Sequence, residues 1–296
     1  MSEAWAKLKQ PETIRRRRAL GRVDRELEKG NYKAALSLVK QLQGKPGGLR
    51  GFGAAQQVPR RVSSLDELKL SGEVKISSLE LIVDSVLRSI KYSLEFALLE
   101  DEEEEVSLLG LGNLMNGEIH DSPFEDHPMC MQHEAGHFLV GYLLGVLPKR
   151  YKVPSVEDLM QDKFAKGNVE FLGFEFLRDV YIETTSKKIF TKGKLSNETL
   201  KKFLRVILGG LVAEHLLFGY SGLLHSDVEK LDRVLKWLGF AENEADSLVR
   251  QATADTILIL SRHNESRSSL AEAMALGRSV GFCIDTIERT LNFGEV

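Results

Sequence analysis

The residues best equipped for chemistry in this chain are His133-Glu134-Ala135-Gly136-His137. On an α-helix, positions i and i+4 share a face, so both imidazoles can reach one metal ion. Glu134, between them, is then placed to act as general base on a water beside the ion rather than to bind the ion itself. Imidazole ligands with an open water position point to Zn2+. A catalytic zinc site needs a third protein ligand. His120, His127, His215, His225 and several carboxylates are available, and spacing does not choose among them. Position 143 is Leu143, which excludes the layout in which a third histidine follows on the same stretch. The helix carrying the motif should begin near Pro128, bury the apolar residues 138–147, and end at Pro148.

Across the whole chain, 296 residues with 43% hydrophobic content are enough for a large buried core, and they exclude a wholly disordered protein. The net charge is only -3, so no dedicated nucleic-acid binder is expected. The two cysteines, Cys130 and Cys283, cannot form a disulfide framework. Charge is nevertheless uneven. Residues 1–61 hold 15 Lys+Arg against 5 Asp+Glu, and the run Arg15 to Arg18 is the sharpest part of that excess. A solvated helix face that also attracts the acidic remainder of its own chain accounts for it; a polyanion-binding adaptor is the competing reading.

Leu20, Val23 and Leu27, then Ala35, Leu38, Val39 and Leu42, lie at helical spacing on either side of a break at Gly30-Asn31. This predicts a helical hairpin of tetratricopeptide type. A single copy cannot bury its own core, so it is expected to be a docking or packing element. Residues 44–61 read as a glycine-rich linker. A helical period resumes from Ile76 to Ala97, and the acidic run Glu100 to Glu105 reads as a solvated connector. Residues 1–61, 62–126 and 127–296 are the expected divisions. The densest apolar stretch, Phe138 to Leu147, is too short to span a bilayer, which takes roughly 20 residues. The first residues lack the layout of a secretory signal. A soluble protein is expected, with no transmembrane segment.

Three segments carry a resemblance: HEAGHFLVGYLLG, then LGGLVAEHLLFG, then HSDVEKLDRVL. Together they resemble the peptidase domain of FtsH-type zinc metallopeptidases. The match covers Gly209, Gly210, Ala213, Glu214, Phe218 and Gly219 in the second segment and Asp227 in the third. The tail ILSRHNESRSSLAEAMALG is similar to that domain's closing helices, so the likeness spans residues 127 to 290 or so. The resemblance implies His133, His137 and Asp227 as zinc ligands, Glu134 as general base, and Glu214 as a residue that orients a ligand or caps its own helix. His215 and His225 are the alternative third ligands.

The resemblance is incomplete. The chain has no G-x-x-x-x-G-K-[ST] phosphate loop, so the ATPase motor usual in that family is missing. The family therefore implies an ATP-independent metalloendopeptidase acting on peptides and unfolded or flexible segments. A metal-stabilised interaction protein without proteolysis is the alternative. Its likeness to plant FtsH-like proteins without the motor favours the chloroplast, with the cytoplasm otherwise. A protein or peptide substrate, a partner through the N-terminal helices and a homo-oligomer are the implied associations. Between the motifs, β-branched and aromatic residues in 167–184 predict a small hairpin that could wall a cleft. Cys130 reads as a small buried apolar residue. No G-x-S-x-G elbow surrounds Ser226, which sets aside a serine hydrolase. The expected fold is mainly α, a helical N-terminal region leading into an all-α zincin-like domain with a small β-hairpin.

Overall fold

A computed structural model describes residues 2–57, 76–106, 123–162, 165–185, 193–222 and 225–291. His120 and residues 58–61 and 107–122 lie outside the described residues, as does the side chain of His225. The chain is mainly helical, with one two-stranded sheet among the described residues.

Helices α1 (Ser2–Glu28) and α2 (Tyr32–Leu42) form the expected hairpin. Gly30 between them has φ 72°, a left-handed value that only glycine adopts cheaply. Leu20, Val23 and Leu27 are buried against Ala35 and Val39. Helix α3 (Ile76–Val106) keeps its turn through Glu100 to Glu105, where a connector was expected. Glutamate is a strong helix former, so a run of it continues a helix readily.

Helix α4 (Pro123–Leu143) carries the HEAGH segment and is buried almost throughout from His133 onward. Its start lies before Pro128, which sits inside the helix. Its end also differs from expectation. Val146 N–H bonds to the Gly141 carbonyl and Gly145 N–H to the Tyr142 carbonyl, with Gly145 at φ 73°. This paired closure stops the helix ahead of Pro148, which instead opens strand β1 (Pro148–Lys152).

Helix α5 (Val156–Gln161) is closed at its start by a reciprocal Ser155–Asp158 capping pair. Strand β2 (Asn168–Phe171) then pairs antiparallel with β1, in the register Arg150↔Glu170 and Lys152↔Asn168. The hairpin predicted within 167–184 is thus only half a strand pair: its partner lies upstream, and the second half is helix α6 (Phe176–Thr185). Leu177 and Val180, three apart on α6, turn inward beside Phe174 of the preceding turn, and this helical period outweighs β-branched composition.

Helices α7 (Asn197–Phe218), α8 (His225–Trp237), α9 (Glu242–Arg262), α10 (Asn264–Ala275) and α11 (Val280–Thr290) complete the fold. Ser196 caps the start of α7 and Gly219, at φ 81°, closes its end. One apolar core runs through residues of the hairpin, α3, α4 and α6 to α11.

The N-terminal hairpin is clamped to α11 by polar contacts. Arg16 Nε and Arg17 Nε donate to the two oxygens of buried Asp285 at 2.7 and 2.8 Å. Asp24 accepts from Ser279 Oγ and the Gly281 N–H at the start of α11. Glu288 accepts from the Gly51 and Arg50 N–H groups and from Tyr142 Oη. Half of the arginine run is therefore neutralised by the chain's own acidic part.

Candidate metal centre

Helix α4 presents His133 and His137 one turn apart toward α7 and α8. The approach depends on glycine. A Cβ on Gly136 would lie 2.3 Å from the Gly209 carbonyl oxygen, so α4 and α7 touch backbone to backbone at this level. A Cβ on Gly210 would lie 2.5 Å from the His133 ring, so the missing side chain is the space that the imidazole fills. The Gly-Gly pair in the second segment thus has a physical reason: one glycine permits the crossing and the other seats a histidine.

Asp227 enters from the first turn of α8. Its Oδ2 lies 2.9 Å from both His133 Nε2 and His137 Nε2, and those two nitrogens are 2.9 Å apart. The opposite nitrogens fix the tautomers. His137 donates its Nδ1–H to the Val206 carbonyl at 2.7 Å, and His133 donates its own to Glu214 Oε1 at 2.5 Å. With each Nδ1 engaged on the outside, both Nε2 atoms face Asp227, the arrangement that metal-binding histidines require. Glu214 is itself held by the Ser221 hydroxyl and the Gly222 N–H. Lys230 donates to the other oxygen of Asp227 at 3.0 Å.

Among the described residues, His133, His137 and Asp227 form the group that could hold a metal ion, with ligand atoms all within 4.8 Å of one another. The chemistry of the set fits a cation: two imidazole nitrogens and one carboxylate oxygen converge on one point. Without an ion, the electrostatics show the crowding. Burial opposes charging His133, but Glu214 and Asp227 overcome it and raise its pKa. Burial likewise opposes ionising Asp227, and the two histidines overcome that and hold its carboxyl well below the usual range.

Glu134 is 4% exposed, and its Oε2 is buried with no hydrogen-bond partner. Burial raises its pKa. An orphaned carboxylate oxygen next to a converging donor set is the position from which a water near the ion would be held. Gly167, just ahead of β2, packs along this side chain: a Cβ there would lie 2.4 Å from Glu134 Oε1. The free space beside His133 and Asp227 is a cavity of about 10 Å³, further lined by Leu208, Leu211, Val228 and Leu231. That is about the room one water needs.

His215 faces away, with its Nε2 3.1 Å from Ser89 Oγ on α3, and burial lowers its pKa. Neither it nor His127 belongs to the converging group. Cys130 is buried, and burial pushes its thiol up to about 12, so it is inert. Sequence reading missed Gly167, the Val206 carbonyl and Lys230. Lys230 had a local signal, its i+3 spacing from Asp227 on a helix; a backbone carbonyl and a glycine beyond a distant turn had none.

Comparison with protein-family models, with curated proteins and with solved structures gives no match for this chain. Among the described residues no helix is long and apolar enough to cross a membrane.

Proposed function

We propose that this protein is an ATP-independent zinc metalloendopeptidase of FtsH type, hydrolysing peptide bonds in unfolded or flexible protein segments. The observation that carries the reading is the convergence of His133, His137 and Asp227 beside the unpartnered oxygen of Glu134. A purely structural metal site has no use for that orphaned carboxylate. Zn2+, bound by the two histidines and Asp227, would supply Lewis acidity to a water and to the scissile carbonyl. Glu134 takes the proton of the attacking water and returns it to the leaving amine as the C–N bond breaks. Its raised pKa suits both halves of that task. Glu214 and the Val206 carbonyl hold the imidazoles in the tautomer that leaves Nε2 free. The chloroplast, by resemblance to motor-less plant proteins, is the proposed compartment.

A second reading, a metal-stabilised interaction protein, is favoured by the enclosure of the site: both histidines are 6% exposed and the adjoining cavity admits about one water. Hydrolysis of casein without ATP separates the two. Parent, Glu134→Gln and Asp227→Ala are run together, with zinc content measured on each. The expected result is cleavage by the parent alone, with zinc kept in Glu134→Gln and lost in Asp227→Ala. Zinc in the parent with no cleavage would overturn the peptidase and leave the second reading.

A further inference from the structure

The arginine run divides between two faces of α1. Arg16 falls on the buried side with Leu20, Val23 and Leu27, and Arg17 also reaches Asp285. Arg15, Arg18, Arg22, Arg25 and Lys29 recur at alternating intervals of three and four residues, a spacing that puts them in one line. The line runs along the face almost opposite the buried one, with a charge about every 5 Å. All five side chains are exposed.

Its lower half borders a groove of about 450 Å³ between α1 and α2. Arg22, Arg25 and Lys29 form one wall; Ala34 and Leu38 of α2, both half-buried, line the other side. Glu26 also lines it, but its carboxylate is taken up by Lys29 at 3.2 Å and Asn31 at 2.8 Å. Arg25 adds a weaker attraction to Glu26, but among the described residues no carboxylate lies within ion-pair distance of Arg22 or Arg25.

We propose that this groove docks an acidic amphipathic helix of a partner protein. A helix with glutamates at i, i+3/i+4 and i+7 repeats its charge at the same interval as α1, so its carboxylates meet the cations of Arg22, Arg25 and Lys29 when the two lie side by side. An apolar residue next to its acidic stripe covers Ala34 and Leu38, completing a three-helix layer on the hairpin. A nucleic acid suits the groove less well. No aromatic lines it for base stacking, and Ala34 and Leu38 would stay uncovered. The occupant is held firmly to the body carrying His133 and His137, because Arg16 and Asp24 of α1 are tied to Asp285 and Gly281 of α11. This inference does not depend on the peptidase reading.

The test is fluorescence anisotropy with a short labelled helical peptide bearing a Glu stripe beside a Leu stripe. Its scrambled isomer, a single-stranded oligonucleotide and phosphatidylglycerol vesicles serve as competing probes. Saturable binding is expected for the patterned peptide, weakened by salt, and weakened about ten-fold by the double change Arg22→Glu and Arg25→Glu. Leu38→Ser should weaken it about three-fold, an effect that charge attraction alone would not produce. Unchanged circular dichroism and Tm show that the variants fold. Equal binding of the scrambled peptide, parental binding by Leu38→Ser, tighter binding of the oligonucleotide or vesicles, or no saturable binding would each overturn the proposal.

Discussion

Replacing Gly136 by alanine tests whether backbone contact between α4 and α7 sets the candidate metal centre. In an isolated helix the change would help, since alanine exceeds glycine by about 1 kcal/mol in helix propensity. Here the added methyl would lie 2.3 Å from the Gly209 carbonyl oxygen and 2.8 Å from Ala213 Cβ. Both obstacles belong to a packed helix, not to a flexible side chain, so the helices must part. Overpacking of this kind costs about 1–3 kcal/mol, and contact with backbone argues for the upper end. The net expectation is a loss of about 2 kcal/mol, or about 5 °C in Tm. Parting the helices also pulls His133 from Glu214, so zinc affinity measured against a competing chelator should fall about ten-fold or more. Gly21→Ala on α1 is the matched control: nothing lies within 4 Å of its Cβ, so it should gain about 0.5–1 kcal/mol. Opposite signs for the same substitution would tie the difference to the crossing. Parental Tm and zinc affinity in Gly136→Ala would refute the reasoning.

Three further outcomes follow from other parts of the molecule. Gly167→Ala should keep zinc but cut casein hydrolysis at least ten-fold, because its methyl displaces the Glu134 carboxylate rather than a metal ligand; loss of zinc together with activity would contradict this. Asp285→Ala strands the buried Arg16 guanidinium and should cost about 3 kcal/mol in urea unfolding, with earlier proteolysis of the N-terminal hairpin; parental stability would show the clamp to be idle. His263, with Nδ1 buried and unpartnered, has its pKa lowered from 6.5 to about 4 by burial, with Arg262 adding to the effect. The unfolded chain therefore takes up the proton first, so this contribution is intact above pH 6.5 and lost as pH falls toward 4. About 2 kcal/mol should disappear between pH 7.5 and 5, and His263→Gln should lose that much less over the same range.

Features set by near neighbours in the chain were legible from the sequence. The i, i+4 spacing puts His133 and His137 on one face wherever the helix lies, and Gly30 breaks the hairpin because a left-handed turn is needed there. The burial of Leu20, Val23 and Leu27 was likewise written in their period. Local composition misled where a distant element competed. The β-branched residues of 167–184 suggested a self-contained hairpin, yet β2 pairs with β1 upstream, and Leu177 and Val180 turn one face of α6 inward.

The helical class and the two histidines with their intervening carboxylate were legible in the residues alone, and resemblance nominated Asp227 and Glu214. Tertiary structure decided which groups face one another. His133 meets Asp227 across 94 residues and Glu214 across 81, and Arg16 meets Asp285 across 269. Only the folded chain shows that Gly136, Gly209 and Gly210 let α4 sink onto α7 and that Gly167 lies along Glu134. The physical reason is range. Helical period and turn preference are properties of a few consecutive residues, whereas a metal centre depends on how helices cross, and that is settled by close packing of surfaces far apart in the chain.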